Sequence, residues 1–179
     1  MADIKIEIDG QIVNAKAGET LIAITDREGI SVPRFCYHKK LSTSASCRMC
    51  LVDIEGVPKP QTSCSTPVSD GMKIHTQNEK AKASQKAVME FLLINHPLDC
   101  PICDQGGECE LQDVAVEYGS DVSRFSEGKR VVAASDIGPL IQTDMTRCIH
   151  CTRCVRFGSE IAGMMEMGGT GRGEDLKIE

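Results

Sequence analysis

Ile4-Lys5-Ile6-Glu7-Ile8 alternates apolar and polar side chains, the period of a strand with one buried face. Asp9-Gly10 follows, then Gln11-Ile12-Val13-Asn14, and Asp-Gly between two such runs predicts a tight hairpin. Thr20 stands where an N-cap belongs, a helix is expected from Leu21 to about Glu28, and Gly29 sits at the C′ position. After a Pro-containing loop and a Cys-rich loop, residues 50–54 read as a strand ended by Glu55-Gly56, and residues 61–64 and 73–76 as two shorter ones. Hairpin, helix, then further strands is the order of a small α+β roll. Thr76-Gln77-Asn78-Glu79 fits a capping box and opens a helix over 79–94. Val88, Phe91 and Leu92, at i, i+3 and i+4, are its predicted apolar face, and Asn95-His96-Pro97 ends it. A short helix is expected from about Glu108 to Tyr118, stopped by Gly119. Residues 120–147 carry no catalytic pattern. From Gly163 the chain is rich in Gly and Met and reaches Glu179 with no predicted terminal element, which suggests a fragment of a longer protein.

Composition narrows the function classes. The longest strongly apolar run is Phe91-Leu92-Leu93-Ile94, far short of the ~20 residues of a membrane-spanning helix. A net charge of −6 argues against nucleic-acid binding through a basic surface, and 3% aromatics against a base-stacking platform. Ten cysteines change the picture. Met1-Ala2-Asp3-Ile4-Lys5-Ile6 has neither the basic start nor the apolar stretch of an export signal, so the cytosol is the expected compartment. Disulfides are rare there, and a Cys-rich chain points to metal binding or catalysis.

The cysteines fall into three groups. Cys36, Cys47, Cys50 and Cys64 are spaced C-x10-C-x2-C-x13-C. Four thiolates can hold an iron–sulfur cluster, and a central C-x2-C with a remote fourth Cys on such a roll favours [2Fe–2S]. A structural zinc on the same thiolates is the alternative. Cys100, Cys103 and Cys109 follow C-x2-C-x5-C, one ligand short of a complete site. His96, four residues before Cys100, is the candidate fourth ligand, against a bland role as a helix-ending polar residue. Gly106-Gly107 suits a loop whose backbone N–H groups approach sulfur closely. Cys148, Cys151 and Cys154 form C-x2-C-x2-C, the first part of the bacterial [4Fe–4S] run C-x2-C-x2-C-x3-C-P. Gly158 stands at the next ligand position and Ser159 where Pro would be, so a fourth ligand must come from elsewhere. His150, between these cysteines, reads as a neighbour of the site and not a ligand. Arg48, Arg147, Arg153 and Arg156 flank the groups, either offsetting thiolate charge or making ordinary surface salt bridges.

Gly168-Gly169-Thr170-Gly171-Arg172-Gly173 is not a dinucleotide-binding G-x-G-x-x-G, and no P-loop, G-x-S-x-G or H-E-x-x-H occurs. The chain therefore carries no recognisable NAD, FMN or nucleotide site. Ligands for several one-electron centres without a substrate signature describe an electron relay with no complete active site and no catalytic residue of its own.

The motifs are also familiar. Pro33-Arg34-Phe35-Cys36-Tyr37-His38, Cys47-Arg48-Met49-Cys50-Leu51-Val52 and Thr62-Ser63-Cys64-Ser65-Thr66-Pro67-Val68 carry the resemblance at the first group. Asn95-His96-Pro97-Leu98-Asp99-Cys100 through Gly106-Gly107-Glu108-Cys109-Glu110-Leu111-Gln112-Asp113 is the most specific stretch, and Met145-Thr146-Arg147-Cys148 through Cys154-Val155-Arg156-Phe157 follows. Over essentially its whole length the sequence resembles the N-terminal region of the large iron–sulfur subunit of bacterial respiratory NADH–quinone oxidoreductase, complex I.

The resemblance implies an α+β chain. A [2Fe–2S] ferredoxin-like β-grasp domain would span 1–78, a small helical His(Cys)3 [4Fe–4S] domain 79–119, and the truncated start of a molybdopterin-oxidoreductase-like [4Fe–4S] domain 120–179. It implies a [2Fe–2S] cluster on Cys36, Cys47, Cys50 and Cys64, and a [4Fe–4S] cluster on His96, Cys100, Cys103 and Cys109. A second [4Fe–4S] cluster would sit on Cys148, Cys151 and Cys154, with its fourth ligand absent from this chain. The implied activity is a share in proton-translocating NADH:quinone oxidoreduction, with single electrons passing from NADH and FMN on a partner subunit toward quinone. The implied partners are the FMN/NADH-binding and other iron–sulfur subunits of complex I. The implied location is peripheral, on the cytoplasmic face of the bacterial inner membrane, with no transmembrane segment in this chain. Alternatives are the electron-transfer portion of an NAD-linked hydrogenase or formate dehydrogenase, a zinc-stabilised interaction module, and an iron–sulfur sensor or scaffold.

Overall fold

The computed structural model describes residues 3–179; the leaderless start read from Met1 and Ala2 lies outside the described residues. The opening alternation forms β1 (Asp3–Ile8), which pairs antiparallel with β2 (Gln11–Lys16). Asp9 and Gly10 both have positive φ, 48° and 84°, as a two-residue hairpin turn of this twist requires. Ile6, Ile8, Val13 and Ala15 face inward, while Ile12 on the other face is exposed. The inward face is covered by α1 (Leu21–Arg27), which buries Leu21, Ile22 and Ile24. Thr20 occupies the cap position of α1, but its side chain makes no capping bond. Gly29 takes up the left-handed φ of 71° expected after the helix.

β3 (Leu51–Ile54), β4 (Gln61–Thr62) and β5 (Lys73–His75) complete a mixed sheet in the order β2-β1-β5-β3-β4. β5 runs parallel to β1, and the other pairings are antiparallel. The Asp9 carboxylate accepts the Thr76 backbone N–H at 2.8 Å and its hydroxyl at 2.5 Å, fastening the hairpin turn to the end of β5.

That bond also corrects the capping reading. With the Thr76 hydroxyl taken, the N-cap of α2 (Glu79–Leu93) is Asn78, whose Oδ1 accepts the Ala81 N–H at 2.9 Å. Asn78 Nδ2 and Lys80 Nζ both donate to the Asp53 carboxylate, at 2.8 and 2.6 Å, tying the start of α2 to β3. The buried face of α2 is Ala81, Gln85 and Met89, spaced four apart; Val88 and Leu92 are partly buried, and Phe91 points to solvent. Gln85, polar and so outside the predicted apolar face, is fully buried and donates to the Leu51 carbonyl at 3.0 Å.

α3 (Glu110–Tyr118) packs against α2. Leu111 and Tyr118 join Met89, Phe35 and Met49 in a second core, separate from that under the sheet. Phe35 and Met49 each adjoin a cysteine of the first group, so this core grips the loops that carry it. Beyond Tyr118 the chain is mostly irregular, with a short α4 (Arg153–Phe157). A terminal element does exist: β6 (Gly169–Thr170) pairs antiparallel with β7 (Lys177–Ile178). Two-residue strands are too short to leave a periodic pattern in sequence. Among the described residues no helix is long and apolar enough to cross a membrane.

Candidate metal centres

The first cysteine group comes together beside the sheet. Cys36, Cys50 and Cys64 are buried and Cys47 is half-buried. Cys64 is placed from two sides. The Ser63 N–H donates to the Cys50 carbonyl at 2.9 Å, and the Ser63 and Thr66 carbonyls accept the first free N–H groups of α1, from Ile22 and Leu21. Between Cys47 and Cys50, Arg48 adopts a left-handed φ of 59°. A non-glycine residue held there stores on the order of 1–3 kcal/mol of strain, sustained by the packing of Phe35 and Met49.

The thiols touch in a chain and divide their protons. Cys36 is held far down, chiefly by the hydrogen bond from Cys47 and then by that from Cys64. Cys50 is brought down to about 6 by its bond from Cys64. Cys47 and Cys64, the donors in those bonds, are pushed up, and burial pushes them further. Iron bound among these sulfurs would favour the thiolate form of all four. Among the described residues no three His, Cys, Asp or Glu side chains meet as ligands of one bare ion. Four cysteine sulfurs brought together beside the sheet fit an iron–sulfur cluster.

His96, Cys100, Cys103 and Cys109 line one cavity of about 130 Å³, together with Leu93, Pro97, Gly106, Leu111 and Arg147. Pro97 follows the end of α2, a 3-10 turn at Cys100–Ile102 carries the next ligand candidate, and Cys109 is the residue from which α3 starts. Burial pushes the His96 pKa down, with the Lys129 charge adding to it, so the imidazole is neutral and able to donate a lone pair. Gly106 has no room for a side chain: an added Cβ would lie 2.7 Å from the Cys100 carbonyl oxygen and 3.1 Å from that of Cys103. One nitrogen and three sulfur donors around a cavity, with backbone pressed close by a required glycine, fit a [4Fe–4S] cluster.

Cys148, Cys151 and Cys154 also lie in one loop, leading into α4. Cys148 and Cys151 are half-buried and Cys154 is exposed. His150 and Thr152 have left-handed φ of 53° and 58°, so this loop repeats the strained bend of the first site. Burial raises the Cys148 thiol, while the His150 N–H donates to its sulfur at 3.4 Å. His150 Nε2 donates to the Leu176 carbonyl at 2.8 Å. This loop supplies three donors of a four-donor set.

Three of the four flanking arginines, Arg147, Arg153 and Arg156, bond groups distant in sequence. Arg147 bonds Asp99 at 3.2 Å at the second site. Arg153 donates to the Tyr37 carbonyl and the Glu110 carboxylate, both at 2.8 Å, linking the first and second sites. Arg156 is 9% exposed and bonded to carbonyls of both the first and third groups. The third cysteine segment is thus fastened to the other two. All but the Arg156–Cys151 contact span 43 to 120 residues, and nothing in local sequence announces these long-range bonds.

Comparison with known proteins bears on this geometry. Residues 1–79 match the family described as "2Fe-2S iron-sulfur cluster binding domain". Residues 85–124 match "NADH-ubiquinone oxidoreductase-G iron-sulfur binding region", and residues 138–179 match "NADH-quinone oxidoreductase subunit 3, ferredoxin-like domain". The chain is 55% identical, over 98% of its length, to the NADH-ubiquinone oxidoreductase 75 kDa subunit of Reclinomonas americana, covering 25% of that protein. It is 53% identical, over 98% of its length, to a bacterial NADH-quinone oxidoreductase subunit, that of Rickettsia felis, covering 26% of it. Its homologues are the iron–sulfur subunits of NADH–quinone oxidoreductase. It spans about a quarter of the length of these relatives. The fold extends beyond these homologues. A solved NAD+-reducing [NiFe]-hydrogenase chain superposes with a TM-score of 0.89 at 26% identity, over 99% of this chain and 74% of that one. The α+β architecture and the presence of [2Fe–2S]- and [4Fe–4S]-binding domains follow from these matches.

Proposed function

We propose that the chain is an iron–sulfur electron relay of respiratory complex I. Single electrons taken from NADH by FMN on a partner subunit would pass through it toward quinone, while the whole complex translocates protons. Cys36, Cys47, Cys50 and Cys64 hold a [2Fe–2S] cluster in a domain over 1–78. His96, Cys100, Cys103 and Cys109 hold a [4Fe–4S] cluster in a domain over 79–119. Cys148, Cys151 and Cys154, in the segment 120–179, hold three corners of a second one, its fourth ligand lying outside this chain. The partners are the flavin-bearing and other iron–sulfur subunits, and the assembly sits peripherally on the cytoplasmic face of the membrane. The carrying observation is the cavity that His96 and three cysteines line around Gly106.

The clusters, when bound, supply reversible one-electron chemistry. The rest is done by the chain. Burial of Cys36, Cys50 and Cys64 keeps water from the first site, and the neutral His96 contributes no negative charge where a thiolate would. Iron and acid-labile sulfide per chain, with EPR of the reduced protein, test the reading. About six irons, from 2 + 4, with two signals are expected if the third site stays empty, and about nine or ten if it fills. Zinc without sulfide would refute it. The likeness to the hydrogenase chain favours a second reading, electron transfer to a hydrogenase catalytic subunit. Identity of 55% to the 75 kDa subunit against 26% to that chain ranks it behind the first.

A further inference from the structure

Arg156 lies two residues beyond Cys154, on α4, and only 9% of it is exposed. Its guanidinium uses four of its five N–H donors on neutral oxygens. Nη2 donates to the Cys36 carbonyl at 2.5 Å and to the Cys151 carbonyl at 3.1 Å. Nη1 donates to the Ser42 carbonyl at 2.6 Å, and Nε to the Thr152 hydroxyl at 3.3 Å. Among the described residues no carboxylate forms an ion pair with it, whereas Arg147 and Arg153 both have one. Glu160, exposed to solvent, accepts the Ser42 N–H at 2.7 Å and the Ser42 hydroxyl, and its carboxyl is drawn down in part by the Arg156 charge without pairing with it. A buried cation is costly without a counter-charge, and carbonyl dipoles alone do not supply one.

A buried counter-charge has a source on either side. One nitrogen of Arg156 touches the backbone of Cys36 and of Cys151, each a member of a thiolate group. Iron–sulfur clusters held by thiolates are net negative and become more so on reduction. We infer that Arg156 is a positioning residue whose single buried charge is shared by the first and third cysteine sites, holding their loops in register and favouring the reduced form of the first. Its hydrogen bonds draw both loops to one point, and its charge biases the redox equilibrium. The inference rests on the cluster assignment proposed above.

The test is a redox titration of the first site's EPR signal in anaerobically purified, iron-loaded protein, comparing Arg156→Gln, Arg156→Met and Arg156→Lys. Iron and labile sulfide are measured on every sample. The two neutral variants should lower the equilibrium constant for reduction on the order of tenfold, the size expected of one unit charge acting over roughly 12 Å at an effective dielectric of about 20. For a one-electron couple that is about 59 mV. Arg156→Lys keeps the charge and should stay within about twofold of the parent. Neutral variants that load iron normally and titrate like the parent overturn the inference, as does a Lys variant that falls as far as they do. Should the neutral variants fail to load iron, the Lys variant decides: a retained potential supports the inference and a tenfold fall overturns it. Parent protein without iron and sulfide refutes the cluster assignment itself, which keeps the two failures distinct.

Discussion

Replacing Gly106 by Ala isolates the fit of the second site. Gly106 does not need a left-handed backbone, so Ala brings no conformational penalty of its own there. The difficulty is contact: the new Cβ would stand 2.7 Å from the Cys100 oxygen and 3.1 Å from the Cys103 oxygen, both on backbone that carries ligands. A carbonyl cannot swing aside as a flexible side chain can, so the loop must open. Forcing one extra methyl into such a space costs about 1–3 kcal/mol. That energy corresponds to about a 5- to 150-fold loss in an equilibrium constant. A chelator challenge followed by iron and sulfide analysis reads it directly. The variant should release second-site iron about 5- to 150-fold more readily, while the first site's EPR signal keeps its intensity. Gly107→Ala is the control. Gly107 has a φ of 90° and nothing within 4 Å of a new Cβ, so only backbone strain of about 1–2 kcal/mol arises. Gly106→Ala retaining iron like the parent, or both sites weakening together, would refute the reasoning.

Asn78→Ala removes the α2 cap and one bond to Asp53, and should destabilise the protein by about 1 kcal/mol in a denaturant melt. His96→Cys puts a thiolate where a neutral imidazole stands, so a redox titration should show the second cluster's potential fall. Removing iron should loosen residues 95–109 first, because they contribute little to either core, while α3 stays protected through Leu111 and Tyr118. Amide hydrogen exchange showing 95–109 protected without iron would contradict that.

Legibility in the sequence follows the range of each interaction. The β1–β2 hairpin is readable because its turn chemistry is local to Asp9-Gly10. The capping-box pattern misplaces the cap of α2 by two residues because the rival use of Thr76 lies 67 residues away, at Asp9. Helical spacing assigns Phe91 to the apolar face of α2, where it is exposed, while polar Gln85 is buried against the Leu51 carbonyl. Spacing groups the cysteines, and the structure gathers the first and second groups as spaced. Nothing in the spacing signals the reach of Arg156, whose contacts are set by tertiary packing.

The reach of Arg156 also sets a schedule. The ribosome makes residue 36 long before residue 156, and the contact between them spans 120 residues. At about 5–20 residues per second, Cys36 waits roughly 6–24 s for its arginine. During that interval the first thiol pocket lacks the clasp that later draws its backbone to the Cys151 loop. Until α4 is made, the loops of the first site are held only by the sheet domain and the core that Phe35 and Met49 share with α2 and α3.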